Sequence, residues 1–278
     1  MQHFTLDSTT DLTRYDYLWR LSPDRWAWEF LRRSPEFRRD AALRQEHEIS
    51  AIPGPCLLNA RLLRPRSSQA LADRWGLALM ADPAKNGYDA DVVWSREAFP
   101  DQIEIYCITR APHQKCEIWE HVTTVSSSYT HVTDFAGREY LLVRCNGSVV
   151  QNRCSGVSML GLEPVRMKLM ISDMQSFSRR IKLLQAAFAV YDEKPGRKAA
   201  KWSKTTQVLR DGLIALDCLE LGGTRRDIAV ALYGLERVQE EWGGPSMKHN
   251  IRYLVNKAER LRDGAYLSDL LCADPFFP

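Results

Sequence analysis

Leu213-Ile214-Ala215-Leu216-Asp217-Cys218-Leu219-Glu220-Leu221-Gly222-Gly223-Thr224-Arg225-Arg226-Asp227-Ile228-Ala229-Val230-Ala231-Leu232-Tyr233-Gly234 is the most clearly punctuated stretch of the chain. Leu209, Leu213, Leu216 and Leu219 recur at helical spacing and predict a helix over 206–219. Gly222-Gly223 ends it, because glycine reaches the left-handed backbone that closes a helix. Thr224 then caps a second, short helix, and Asp227 three residues on completes a capping box. Ile228, Ala229 and Leu232 face inward, and small Ala229 permits a close helix crossing.

Downstream, Leu235 to Gly244 reads as a long connection in which Trp242 plugs the space between helices. A third helix is predicted from Pro245 or Ser246 to Arg262. At about 100° per residue, Met247, Ile251, Leu254, Val255, Ala258 and Leu261 gather on one side. His249, Arg252, Tyr253, Asn256 and Arg260 fall opposite, flanked by Lys248 and Lys257. Between Lys248 and Arg262 five bases meet one acid, Glu259, so the local charge is 5 − 1 = +4. The whole chain carries only +3 from 38 basic and 35 acidic residues, so any nucleic-acid binding needs such a local face.

Arginine and asparagine make paired hydrogen bonds to guanine and adenine edges, while lysine suits phosphate. The expectation is that His249, Arg252, Tyr253, Asn256 and Arg260 face bases. Arg225, Arg226, Lys248 and Lys257 are expected to face the phosphates of double-stranded DNA. The region 205–278 is therefore expected to be a helix-turn-helix domain.

Working outward, residues 173–204 read as a helix, with Ile181, Leu184, Gln185 and Phe188 on one face, and a basic linker. Residues 55–172 read as a small antiparallel β domain. Its strand signals are Asp91-Val92-Val93-Trp94, Ile103 to Ile108, and Glu139 to Val150 folded back at Asn146-Gly147. Residues 1–50 read as a helical arm, with start signals at Ser22-Pro23-Asp24 and Ser34-Pro35-Glu36. Its aromatics Trp26, Trp28, Phe30 and Phe37 either pack onto the next domain or form a partner-binding surface. The fold class expected is α+β.

The segments Trp26-Ala27-Trp28-Glu29-Phe30-Leu31-Arg32-Arg33-Ser34-Pro35-Glu36-Phe37-Arg38 and Gly223-Thr224-Arg225-Arg226-Asp227-Ile228-Ala229 carry a resemblance. So do Leu232-Tyr233-Gly234, Trp242, Ile251-Arg252, Gly264-Ala265-Tyr266 and Leu270-Leu271, and in the middle Trp75-Gly76-Leu77, Ala81-Asp82-Pro83 and Gly137-Arg138-Glu139-Tyr140-Leu141. Together they resemble a proteobacterial helix-turn-helix variant family. It includes the excision activator FseA and the antiactivator QseM of integrative and conjugative elements, with an N-terminal transcriptional regulator-like segment in the activators. The resemblance implies a transcriptional activator of excision or transfer genes, with RNA polymerase and a protein antiactivator as partners. The alternative it leaves is an antiactivator-type module that binds another regulator without DNA. The family has several arginines in the third helix, where this chain has Asn250, Tyr253 and Asn256.

Enzyme chemistry finds little support. His113, Cys116, His121 and His131 have ligand types without a zinc spacing. Gly156 to Gly161 misses a nucleophile elbow by one residue and reads as a turn. Glu240-Glu241 is placed in a polar loop, and no phosphate-binding glycine motif occurs. No enzyme activity, cofactor or metal is expected. Seven scattered cysteines without a CxxC pair, no signal-peptide pattern and no long apolar run predict a cytoplasmic chain off the membrane.

Overall fold

A computed structural model of the chain describes residues 12–43, 49–53, 60–111, 113–114, 127–160, 165–171, 177–192 and 201–273. A 3-10 helix over Leu12–Arg20 leads into α1 (Pro23–Leu31) and α2 (Pro35–Ala42). Ser34 caps α2, accepting a hydrogen bond from the Phe37 amide, whereas the Ser22 hydroxyl turns to the Asp24 carboxylate instead. Next come β1 (Ile49–Pro53), β2 (Ala60–Pro65) and the single turn α3 (Ala70–Asp73). After them follow β3 (Ile103–Thr109), β4 (Ser127–Thr133), β5 (Glu139–Cys145), β6 (Ser148–Gly156) and β7 (Val165–Met170). The C-terminal half is helical: α4 (Phe177–Asp192), α5 (Lys204–Glu220), α6 (Arg225–Tyr233), α7 (Leu235–Glu241), α8 (Pro245–Arg260) and α9 (Tyr266–Asp269).

The fold is α+β, as expected, but the sheet is not antiparallel throughout. Its strands lie in the order β1-β2-β4-β5-β6-β3-β7, and β2 with β4 and β3 with β6 run parallel. The Asn146-Gly147 turn has φ of 50° and 82°, the left-handed pair that a tight hairpin requires, and it joins β5 to β6 as predicted. Asp91 to Trp94 is not a strand of this sheet. Arginine and glutamine side chains take the backbone bonds that a ladder would otherwise supply. Arg25 donates to the Val92 carbonyl at 3.0 Å and Arg144 to the Ala90 carbonyl at 2.8 Å. Gln151 accepts from the Trp94 amide at 3.0 Å and donates to its carbonyl at 2.9 Å. Only a bridge between Leu77 and Trp94 remains.

One face of the sheet is covered by α4, through Leu184 and Ala187 against Ile105, Cys107, Leu141 and Met167. The other is covered by residues of 78–93, whose Leu79 and Val93 pack on Val132, Tyr140 and Leu142. On that cover lie α1 and α2, and on them the C-terminal helices. Trp28 and Phe37 stack edge-on at 5.4 Å, and Phe37 does the same with Trp75 at 5.6 Å. Tyr266 and Leu271 join the same cluster, with Tyr266 donating to the Trp75 carbonyl at 3.1 Å. Trp26 and Phe30 pack instead against Leu209, Leu213, Ala258 and Leu261.

The N-terminal helices are therefore an inner layer rather than an arm. Trp26, Trp28, Phe30 and Phe37 are at most 2% exposed, so they cannot present a partner-binding surface. Burial of aromatic area inside the molecule has used them up.

A charged network joins the layers. Arg33, on the turn between α1 and α2, reaches both carboxylate oxygens of Asp217 on α5, at 2.6 and 3.0 Å. Its remaining nitrogen donates to the Glu29 carboxylate and carbonyl, each at 2.7 Å. Tyr15 donates to Asp217 at 2.7 Å; Tyr17 and the Gly87 amide donate to Glu29 at 2.8 and 2.6 Å. Burial alone would raise the Glu29 pKa, but Arg33 and Arg32 hold it below the ordinary carboxylate range. Asp217 is likewise held low, burial being outweighed by Arg33 and the Tyr15 hydroxyl.

Two outcomes are expected. Arg33→Ala leaves the buried Glu29 with Arg32 alone and the half-buried Asp217 without its cation, and should cost about 3 kcal/mol in urea unfolding. Because both carboxyls have folded pKa values below their unfolded ones, their contribution is complete above roughly pH 5 and is lost as pH falls through the folded values. A urea midpoint that stayed flat from pH 6 to pH 3 would rule out that role for the network.

Candidate nucleic-acid interface

The C-terminal unit is built on local signals that the structure realises closely. Ser203 and Thr206 form a capping box at the start of α5. At its end Leu221 donates to Asp217 and Gly223 to Cys218, at 3.2 and 2.9 Å. A Cβ on Gly223 would lie 2.5 Å from the Cys218 sulfur, so the turn into α6 closes only on glycine. The predicted capping box at Thr224 and Asp227 is present. The Thr224 amide donates to the Asp227 carboxylate at 2.7 Å and the Asp227 amide to the Thr224 hydroxyl at 3.3 Å.

The stretch expected to be a long connection is mostly helix. Gly234, at φ 85°, is the single residue between α6 and α7 and caps both, ending one and starting the other. Glu241 therefore lies on α7, paired with Arg237 at 2.9 Å, and Glu240 beside it is helical too rather than in a loop. Trp242 follows as a partly buried plug against the core of the unit, with the Lys248 ammonium 5.9 Å over its ring.

That core combines Ala215 and Cys218 of α5, Ile228 and Ala229 of α6, Val238 of α7, and Met247, Ile251, Leu254 and Val255 of α8. Farther along α8, Ala258 meets α5 at Gly212, where a Cβ would lie 3.2 Å from the Ala258 Cβ and 3.9 Å from the Phe30 ring. Two helices and the inner layer converge there. All six residues assigned to the apolar face of α8 are buried, Leu261 just beyond its end included.

The opposite face is open. His249, Arg252, Tyr253, Asn256 and Arg260 are exposed, Tyr253 at 64%; Lys248 is exposed and Lys257 half-buried. Arg225 and Arg226 stand exposed in the first turn of α6. The structure thus brings the base-facing candidates onto one stripe. Among the described residues, no hydrogen bond or ion pair joins Arg225 or Arg226 to that stripe. The charge on the stripe is smaller than the sequence count implies. Arg260 pairs with Asp269 at 3.3 Å and Arg262 with Asp263 at 2.7 Å. Lys248, Arg252 and Lys257 make no ion pair among the described residues.

His131 is buried and bonds the Glu139 carboxylate at 3.2 Å, and Ser158 and the Met159 amide also donate to Glu139. Burial would raise the Glu139 pKa, but these donors hold it below the ordinary range. The serine thus meets the carboxylate and not the imidazole, so the two do not form a serine–histidine pair. Cys116 and His121 lie outside the described residues, and no group of metal-ligating side chains occurs among those described.

Residues 10–78 match the family described as "Proteobacterial transcriptional regulator-like domain". Residues 169–271 match the family described as "T6SS, Transcription factor, DNA binding domain". The second match takes in α4 as well as α5 to α9, so the helix on the far face of the sheet falls within its span. No curated protein matches the chain. The two family matches support a DNA-binding regulator of transcription, with DNA as a partner. No helix of the described residues is long and apolar enough to cross a membrane.

Thr224→Ala removes the hydroxyl that caps α6 and is expected to cost about 1 kcal/mol in urea unfolding. Thr224→Ser, which keeps the hydroxyl, should restore most of it.

Proposed function

We propose that the chain is a sequence-specific transcription activator that reads the major groove with the exposed stripe of α8, the recognition helix of a helix-turn-helix variant in which α7 lies between α6 and α8. The observation that carries this reading is the division of α8 into two faces. Its apolar side is locked into two cores, and Arg252, Asn256, His249 and Tyr253 project from the other. A recognition helix needs that combination of rigid support and free side chains that bond base edges. Arg225, Arg226, Lys248 and Lys257 serve as phosphate contacts that fix the register.

The activator role, the excision or transfer genes of a mobile element as targets, and RNA polymerase and a protein antiactivator as partners rest on the family resemblance. The reading includes a cytoplasmic protein without enzymatic activity. The second reading, a module that binds another regulator, is favoured by one observation: the stripe includes the aromatic Tyr253, 64% exposed.

Fluorescence anisotropy separates the two, using the duplex upstream of the protein's own gene beside a scrambled duplex across a salt series. Arg252→Ala should weaken binding to the native duplex about 5- to 150-fold, the equivalent of about 1–3 kcal/mol, and leave the scrambled duplex nearly unchanged. Arg225→Ala with Arg226→Ala should weaken both duplexes alike. Absence of binding to either duplex at low salt would leave the protein-partner reading in front.

A further inference from the structure

Among the described residues, the cover on one face of the sheet stops short of its β3–β7 end, and what it leaves open is basic. Direct register sets Arg153 of β6 beside Glu104 of β3, and Glu104 beside Met170 of β7. The next row is Ser155, Tyr106 and Lys168; beyond it Ile108 lies beside Arg166. Alternation along each strand puts all of these on the face that Tyr140 and Leu142 occupy farther in, opposite α4. Arg166 and Lys168 are exposed, Tyr106 is 41% exposed, and Arg153 is half-buried. The one acid in the group, Glu104, accepts a hydrogen bond from Ser155 at 3.3 Å. Three cations against one carboxylate give the open face a surplus of two.

We infer that this open face, with Arg153, Tyr106, Arg166 and Lys168, is a second contact surface for the phosphate backbone of duplex DNA. The inference rests on the DNA-binding reading of α8 and extends it to another element.

Charges that merely protect an exposed strand edge would be confined to β7. Here Arg153 lies two strands in, and between it and Lys168 stands an accessible tyrosine whose hydroxyl can donate to a phosphate oxygen. Position favours the same occupant. The cover over the rest of this face joins the cluster that receives Tyr266 and Leu271, through Ala90, Val92 and Trp94. The open face and the α5–α9 unit are therefore on the same side of the sheet. The cations are complementary to phosphate, and the exposed apolar side chain beside them, Met170, stands at one end of the patch.

The test uses the full chain carrying Arg166→Glu with Lys168→Glu, both at exposed positions, with the thermal midpoint checked against the unchanged protein. Binding to native and scrambled duplexes is measured from low to moderate salt. Loss of two phosphate contacts should reduce the salt slope by roughly 2. It should also weaken both duplexes by the same factor, so that the native-to-scrambled ratio is unchanged. Tyr106→Phe should weaken both duplexes by a smaller common factor. If the unchanged protein binds and the double variant matches it in slope and affinity, the second surface is refuted while the α8 reading stands, and an acidic protein partner becomes the occupant to pursue. If the unchanged protein binds neither duplex, both readings fall together.

Discussion

The ion pair between Arg33 and Asp217 is the interaction on which the arrangement of the molecule depends. A guanidinium 7% exposed and a carboxylate on a helix 184 residues away meet through two nitrogens and two oxygens. Such a fork fixes orientation as well as distance, which one apolar contact does not. Arg33 is shared with Glu29, and Glu29 in turn holds Tyr17 and the Gly87 amide. One connected set of bonds thus ties the 3-10 helix, α1, α5 and the segment covering the sheet. Buried charge is a weak source of stability compared with a well-packed apolar replacement. What the fork adds to the surrounding aromatics is direction, because two nitrogens must meet two oxygens at once.

That geometry decides what α8 can do. The helix is held on one flank by the core of its own four-helix unit and on another by Phe30, Leu209 and Leu213. Glycine at 212 brings α5 and α8 to within methyl contact, so a shift of the inner layer is transmitted to α8 through Phe30. The two segments matched as regulator-like and DNA-binding are parts of one packed body.

What was legible in the sequence was local. The Thr224 and Asp227 box, the end of α5 at Gly222-Gly223, the hairpin at Asn146-Gly147 and the two-faced pattern of α8 each lie within a few residues. Their physics is complete at that range. What was hidden needed partners distant in sequence. Hydrophobic periodicity makes Trp28 and Phe37 apolar without saying which surface covers them. Parallel pairing of β2 with β4 and of β3 with β6 has no turn to announce it. Asp91 to Trp94 has strand composition, yet Arg25 and Gln151 claim its backbone and Arg144 takes the adjoining Ala90 carbonyl and the Asp91 carboxylate, and none of the three is near it in sequence. α7 is hidden for a different reason. A glycine pattern around 234–244 reads as a connection, but Gly234 at φ 85° lets the next helix start at once.

Charge ties the fold to the function. A protein with a net charge of +3 gains little from a global field, and the stripe on α8 has fewer unpaired cations than its sequence count because Asp263 and Asp269 fold back onto it. Duplex affinity built from phosphate contacts then has to be collected from several elements, each contributing a few cations, rather than from one helix. Arg225 and Arg226 at the start of α6, Lys248 and Lys257 beside the stripe of α8, and Arg166 and Lys168 on the edge strand β7 are the six cations, on three elements, that the proposed reading assigns to phosphate. Distributed in this way they act together only if the layers between them are rigid. A buried Arg33 fork, a glycine crossing and an aromatic inner layer are the features that make them so. On this view the N-terminal helices contribute to DNA binding without touching DNA, by fixing the distance between a reading helix and the cations that hold the duplex against it.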